Sequence, residues 1–267
     1  MIYCHGFPAS RLEGAWTHAC ARQRELRVIA IDRPGYGGSD FQPERSMADW
    51  PGDVTAVADA LGLAQFSLLG LSGGGPYAAV CAQRLPGRVE RLVLVGPLGA
   101  LGAAGATTSM DPVAAAFVRF MAAAPGAASL VYRQMVGRLM AEVPSIALRI
   151  LTRAAPAADR EALADGAFAR VLGASLAEAF RQGGAGAAWD LRLYVHGWAV
   201  DPAAITVPTW LFHGEADRTV PLAMGRYYAD AIPGCRARYV PAEGHFSLPR
   251  SYMSDILGVL VPGGDAP

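Results

Sequence analysis

Ser72 stands in Gly70-Leu71-Ser72-Gly73-Gly74, a G-x-S-x-G stretch. The β-rich run Phe66 to Leu69 precedes it, and a helix-like run from Tyr77 to Arg84 follows Gly75-Pro76, the strand-turn-helix context this pattern needs. A nucleophile on so sharp a turn has strained backbone angles, and side chains two residues to either side would meet the neighbouring strand and helix. The hydroxyl would then project above a sheet at a helix N-terminus, where backbone amides favour developing negative charge. The bland alternative is a glycine-rich turn with an incidental serine. A serine hydroxyl attacks only if a base takes its proton, so an acid and a histidine are required as well. Asp217 follows the run Thr209 to Phe212 in His213-Gly214-Glu215-Ala216-Asp217, and His245 follows Ala237 to Val240 in Pro241-Ala242-Glu243-Gly244-His245. Both loops lie at the end of a strand, the edge where open α/β sheets build their sites.

Other chemistries are removed by composition. The 267 residues contain no Lys, so all 23 basic side chains are Arg, and there is no Asn, a bias that a GC-rich genome explains. Schiff-base, pyridoxal, Ser-Lys and phosphate-loop lysine chemistry all need an amine, and a Cys-His-Asn triad needs Asn. Gly70-Leu71-Ser72-Gly73-Gly74-Gly75 also lacks the G-x-G-x-x-G of a nucleotide site. With 23 acidic residues the formal charge is zero, which gives no electrostatic case for nucleic acid or an anionic membrane as partner. The reading therefore expects a small, largely apolar substrate, no cofactor and no metal. Cys4, Cys20, Cys81 and Cys235 are scattered and read as free thiols, and histidines show no ligand spacing. No apolar run of about 18 residues and no signal-peptide pattern is present, so a cytoplasmic location is expected.

The elements that must hold these residues are short apolar runs alternating with helical stretches: Ile2 to Cys4, Val28 to Ile31, Phe66 to Leu69, Leu92 to Val95, Thr209 to Phe212 and Ala237 to Val240. Strands buried on both faces of a parallel sheet look like this, so the fold class is doubly wound α/β. Ser46-Met47-Ala48-Asp49 opens a helix with Val54, Val57, Ala58 and Leu61 at helical spacing. The alternation stops over 98–199, where Ala-rich segments carry Phe117, Phe120, Met121, Met135, Leu139, Met140, Ile146 and Ile150. That stretch is expected to be a helical insertion into a core formed by 1–97 and 200–267, with Gly99 to Gly105 as a flexible entrance and Pro262 to Pro267 as a frayed tail.

His5 to Pro8 (His-Gly-Phe-Pro), Asp32 to Ser39 (Asp-Arg-Pro-Gly-Tyr-Gly-Gly-Ser) and Gly70 to Pro76 resemble cap-bearing, serine esterase-like members of the α/β-hydrolase superfamily. With the Asp217 and His245 loops the resemblance spans nearly the whole chain. It implies Ser72 as nucleophile, His245 as base and then acid, and Asp217 as orienting carboxylate. It further implies the backbone amides of Phe7 and Gly73 as oxyanion donors and the insertion as a lid. Glu215 competes with Asp217, but the family-like G-x-x-D spacing selects Asp217; the variant with the acid after the preceding strand is excluded by Gly96-Pro97, which carries no carboxylate. His5 and His213 precede Gly and read as loop-orienting, and His18 as an ordinary helical residue. Asp32-Arg33-Pro34 reads as a tight turn. Trp189, Tyr194, His196 and Trp198 are the candidates to line an apolar pocket.

The expected reaction is hydrolysis of a small carboxylic ester, lactone or thioester through an acyl-serine. Two alternatives stay open: non-hydrolytic chemistry on the same triad, such as cofactor-free haloperoxidation, perhydrolysis, lyase or cyclase steps, and a receptor that only binds. Similar proteins carry two strands before the His-Gly segment that are missing ahead of His5. The strand Val28 to Ile31 is then expected to present an open edge, so that either translation starts upstream of Met1 or a second copy of the chain covers that edge.

Overall fold

Successive residues along each strand alternate between two apolar cores, and that alternation builds the architecture. In β1 (Ile2–Cys4) Ile2 and Cys4 face one core and Tyr3 the other. Leu68 opposes Leu69 and Leu71 in β3 (Phe66–Leu71), Leu92 and Leu94 oppose Val93 and Val95 in β4 (Val89–Val95), and Leu211 opposes Trp210 and Phe212 in β5 (Thr209–Gly214). With β2 (Ile29–Ile31) and β6 (Arg236–Val240) they form a six-stranded sheet of order β2-β1-β3-β4-β5-β6, parallel at every pairing. The computed structural model describes residues 1–142 and 155–261; Ile146, Ile150 and Pro262 to Pro267 lie outside the described residues.

Helices cover both faces. α1 (His18–Gln23) and α11 (Ser247–Gly258) pack on the Tyr3 side, while α2 (Trp50–Ala60), α3 (Gly75–Arg84) and α10 (Leu222–Ala231) pack on the other. The chain is thus doubly wound, as its pattern predicts. β2 lies at one border of the sheet and pairs with β1 alone among the described residues. All four cysteines are free; Cys4 and Cys81 are buried, whereas Cys20 and Cys235 are only partly so.

Between β4 and β5 the described chain is helical: α4 (Pro112–Ala123), α5 (Pro125–Val131), α6 (Gly137–Glu142), α7 (Ala157–Ala164), α8 (Gly166–Ala179) and α9 (Ala185–His196). A π-helical turn, Tyr132–Val136, joins α5 to α6. Aspartates start two of these helices: Asp111 accepts from the amides of Val113 and Ala114, and Asp165 from those of Ala167 and Phe168. Val118, Met121, Tyr132, Leu172, Leu176, Phe180 and Leu191 do not form a core of their own. They join the apolar cluster that contains Ile2, Leu68 and Leu92 of the sheet. Phe168 also stacks on Trp16 at 4.1 Å, tying α8 to the 3-10 turn Arg11–Thr17.

The strand limits differ from the apolar runs in an instructive way. β4 begins at Val89, three residues before the apolar run, and its register against β3 shifts between the pairs Phe66–Val89 and Leu68–Leu92, so that Glu90 and Arg91 fall at the irregularity; β3 continues through Gly70 and Leu71 to end directly at Ser72. β2 begins at Ile29, one residue later than the apolar run. Ahead of α2 the Asp49 carboxylate accepts the Ser46 amide at 2.7 Å, as the cap pattern implies.

Candidate active site

Ser72 occupies the joint between β3 and α3 with φ 53°, the left-handed region that costs a non-glycine residue energy and that persists only when its surroundings enforce it. The enforcement comes from both flanks. A Cβ on Gly70 would stand 2.7 Å from Ala78 Cβ, and one on Gly74 would run into the carbonyls of Cys4 and His5. The turn is therefore wedged between β1 and α3, and Ser72 is left with 6% of its surface exposed.

His245 Nε2 lies 3.0 Å from Ser72 Oγ, and His245 Nδ1 lies 2.7 Å from Asp217 Oδ2. Asp217 is buried, and its Oδ1 accepts the amides of Thr219 and Val220 at 2.8 Å each, which fixes Oδ2 on the imidazole. Burial pushes the His245 pKa down, but the charge and hydrogen bond of Asp217, followed by the charges of Asp159 and Glu13, together hold it above the usual histidine value. With Nδ1–H donated to Asp217, the Nε2 lone pair is free to take the serine proton. Glu215, the competing carboxylate, is exposed. Gly96 sits where a Cβ would be 3.5 Å from Asp217 Oδ2, so the position after β4 borders the same pair without supplying an acid.

The other histidines go elsewhere. His5 is buried between the Arg33 amide, which donates to Nε2 at 3.2 Å, and the Gly6 carbonyl, 2.9 Å from Nδ1; burial, then Arg33, push its pKa down to about 3, and it stays neutral. His213 is buried at the end of β5, with Nε2 3.0 Å from the Val220 carbonyl and 3.6 Å from Asp217 Oδ2. His18 opens α1 and is exposed. His196 meets the Met121 carbonyl at 3.2 Å.

Phe7 and Gly73 adjoin: a Cβ on Gly73 would come 3.1 Å from Phe7 N, and neither amide has a protein acceptor among the described residues. The Phe7 loop is held from three directions. Glu13 Oε2 accepts the Gly6 amide at 2.6 Å, Arg33 Nη2 donates to the Gly6 carbonyl at 2.9 Å, and Arg33 Nη1 donates to the His5 carbonyl. Burial pushes the Glu13 carboxyl up to about 7, against the pull of the Gly6 amide and the Tyr3 hydroxyl.

Arg33 is no ordinary turn residue. It is fully buried, its Nε bonds Asp190 Oδ2 at 2.8 Å, and its guanidinium lies 4.7 Å from the Tyr77 ring centre. Asp190, on α9, also accepts from Arg45, from Tyr77 at 2.6 Å and from Tyr36 at 2.9 Å. Burial opposes its charge, yet Arg45 and Arg33 hold its carboxyl well below the usual range. Sequence reading missed this group; the only signal was a single acid inside the apolar run Ala187 to Leu191.

Of the residues expected to line a pocket, Tyr194 is completely buried, with its hydroxyl donating to the Gly73 carbonyl at 2.8 Å and its ring 5.4 Å from that of Phe7. It braces the elbow from behind. Trp189 donates to the Arg45 carbonyl and Trp198 to the Val200 carbonyl, so both indoles are engaged in packing contacts. Tyr132, on the π-helical turn, sets its ring 6.2 Å from that of Phe7. Cavities of about 450 Å³ beside Asp59, Leu63 and Arg88 and about 270 Å³ beside Arg91, Trp210 and Arg236 lie at the opposite ends of the strands, away from the triad. Chemistry, not cavity size, marks the site.

A sequence profile described as alpha/beta hydrolase fold matches residues 1–250. The 2-hydroxymuconate semialdehyde hydrolase of Pseudomonas putida is 44% identical over 75 residues, a stretch that covers 27% of either chain. The chain therefore spans well under half the length of that curated relative. Among solved structures, the bromoperoxidase of Bacillus anthracis superposes with a TM-score of 0.69 at 20% identity, over 97% of this chain and 89% of that one. The N-acyl homoserine lactone degrading enzyme Est816 gives 0.68 at 22%, over 97% and 92%. At such identities the likeness is one of fold.

Proposed function

The chain belongs to the alpha/beta hydrolase fold family, and from that premise we propose that it is a serine hydrolase acting on a small, largely apolar carboxylic ester, lactone or thioester. The observation that carries the reading is the unbroken chain from Ser72 Oγ through His245, 3.0 Å and 2.7 Å, to a buried Asp217. Ser72 Oγ attacks the carbonyl carbon as its proton passes to His245 Nε2. The carbonyl oxygen, now negative, is held by the amides of Phe7 and Gly73. Collapse of the tetrahedral intermediate breaks the bond to the leaving oxygen or sulfur, which departs with the proton from His245 and leaves an acyl-serine. Water then gives its proton to His245, attacks the acyl carbon, and releases the acid and free Ser72. In this reading α4 to α9 serve as the cap, and Asp190 ties α9 to the Phe7 loop and to α3 through Arg33 and Tyr77.

A fluorophosphonate probe is expected to add to the peptide containing Ser72, read by mass spectrometry, and a chain-length series of p-nitrophenyl esters is expected to be turned over. Absence of both adduct and turnover would overturn the reading. Because His245 must be neutral to take the proton and its pKa is held above 6.5, kcat/KM is expected to fall on acidification with a midpoint above pH 6.5. A midpoint below 6.5 in a pH–rate profile would mean that Asp217 and the other carboxylates do not outweigh the burial of the imidazolium.

A further inference from the structure

His245 is held by its ring through Asp217, and its backbone is held from a different part of the chain. Asp159, on α7, is 1% exposed, and its carboxylate accepts three consecutive amides: His245 at 2.9 Å on Oδ2, and Phe246 at 2.9 Å and Ser247 at 2.8 Å on Oδ1. These amides are the orphan donors at the start of α11, and the carboxylate that caps them comes from a residue 86 positions away in sequence. A Cβ on Gly244 would overlap the same carboxylate, so the residue before His245 leaves room for it. A second, exposed contact runs in parallel: Arg250 of α11 reaches Asp165, just after α7, at 3.1 Å and 3.2 Å.

We infer that Asp159 is a positioning residue for His245, fixing its backbone and adding a negative charge at the start of the helix that follows it, so that the helices between β4 and β5 form part of the catalytic apparatus as well as its cover. The inference rests on His245 acting as the base. The groups that bond the imidazole or act on it through charge are Ser72, Asp217 after β5, His213 at the end of β5, Glu13 from the Arg11–Thr17 turn and Asp159 from α7. Of these, Asp217, Asp159 and Glu13 raise the pKa of His245 by their charge, in that order.

The test compares wild type, Asp159→Asn, Asp159→Ala and, as control, Asp165→Asn, by NMR titration of the His245 imidazole and by the pH profile of kcat/KM. Asp159→Asn keeps the shape and removes the charge, so both the titration midpoint and the acid limb are expected to move to lower pH. Asp159→Ala also frees three amides and is expected to lower kcat by about 10²-fold with KM little changed, the cost of displacing a reacting group by roughly 1 Å. Asp165→Asn is expected to leave the midpoint in place. A purely structural role would lower the melting temperature and leave the pH midpoint of Asp159→Asn on that of wild type, and that result overturns the inference. Failure of the hydrolase reading is distinguishable: wild type would then give no fluorophosphonate adduct, while the NMR titration would still report whether Asp159 acts on the ring.

Discussion

Ser72→Ala is expected to lower ester turnover on the order of 10⁶-fold while the protein stays folded. The substitution removes one oxygen from a residue whose backbone is already enforced by Gly70, Gly74 and the neighbouring strand and helix. Alanine meets the same penalty at φ 53° as serine does, so stability should change little. What remains is an imidazole oriented by Asp217 and two amides with nothing to stabilise, because no covalent bond to the carbonyl carbon can form. Losing Asp217 instead would cost less, about 10⁴-fold, since the serine would still attack from a misoriented base. The measurement is kcat on the shortest ester that wild type accepts, with near-ultraviolet circular dichroism to show that packing is unchanged. A variant within tenfold of wild type would mean that Ser72 is not the nucleophile.

Asp190→Ala is expected to cost at least about 3–5 kcal/mol of folding stability, because it leaves the guanidinium groups of Arg33 and Arg45 in the interior without a carboxylate. That is a large share of the roughly 5–15 kcal/mol that holds a domain together. The side chains of all three are 3% exposed or less, so water cannot substitute for the lost charge. Neither arginine can neutralise itself, since a guanidinium stays protonated at any accessible pH. The loss would reach the site as well, because Arg33 holds the His5 and Gly6 carbonyls that shape the Phe7 loop. Urea unfolding followed by tryptophan fluorescence would report the loss as a fall in midpoint. A change under about 1 kcal/mol would show that the cluster relaxes or hydrates, contrary to the penalty for a stranded buried charge.

The sheet, and the three side chains that it brings within hydrogen-bond distance of one another, were legible because their signals are local. Short apolar runs mark strands buried on both faces, and each member of the hydrogen-bonded Ser-His-Asp set stands within a few residues of a strand end whose turn residues announce it. Ser72, Asp217 and His245 could be named without knowing a single distance. Asp159, Asp190 and Glu13 could not. Asp159 takes backbone amides 86 or more positions away and Asp190 takes arginines and tyrosines from distant segments, while Glu13 takes the Gly6 amide and the Tyr3 hydroxyl across a loop, and nothing beside these acids in sequence records which donors the fold will bring to them. Tyr194 shows the converse: an aromatic expected to face substrate is spent on the Gly73 carbonyl, a choice made by tertiary packing. The first residues of β4 were hidden because Glu90 and Arg91 interrupt the apolar pattern where the β3–β4 register shifts.

Among the described residues, the helices between β4 and β5 share one apolar cluster with a face of the sheet, with no separate core dividing them from it. Should these helices serve as the proposed cap, the side chains that would be exchanged to admit a larger substrate are among those whose burial supports folding. Adaptation of this chain to new substrates should therefore run against its stability, and variants with altered selectivity should need compensating substitutions elsewhere in that cluster. Hydrogen exchange would show the same linkage as kinetics of opening: amides of α4, α8 and α9 should exchange together with those of β3 and β4 and not as an independent, earlier-opening unit.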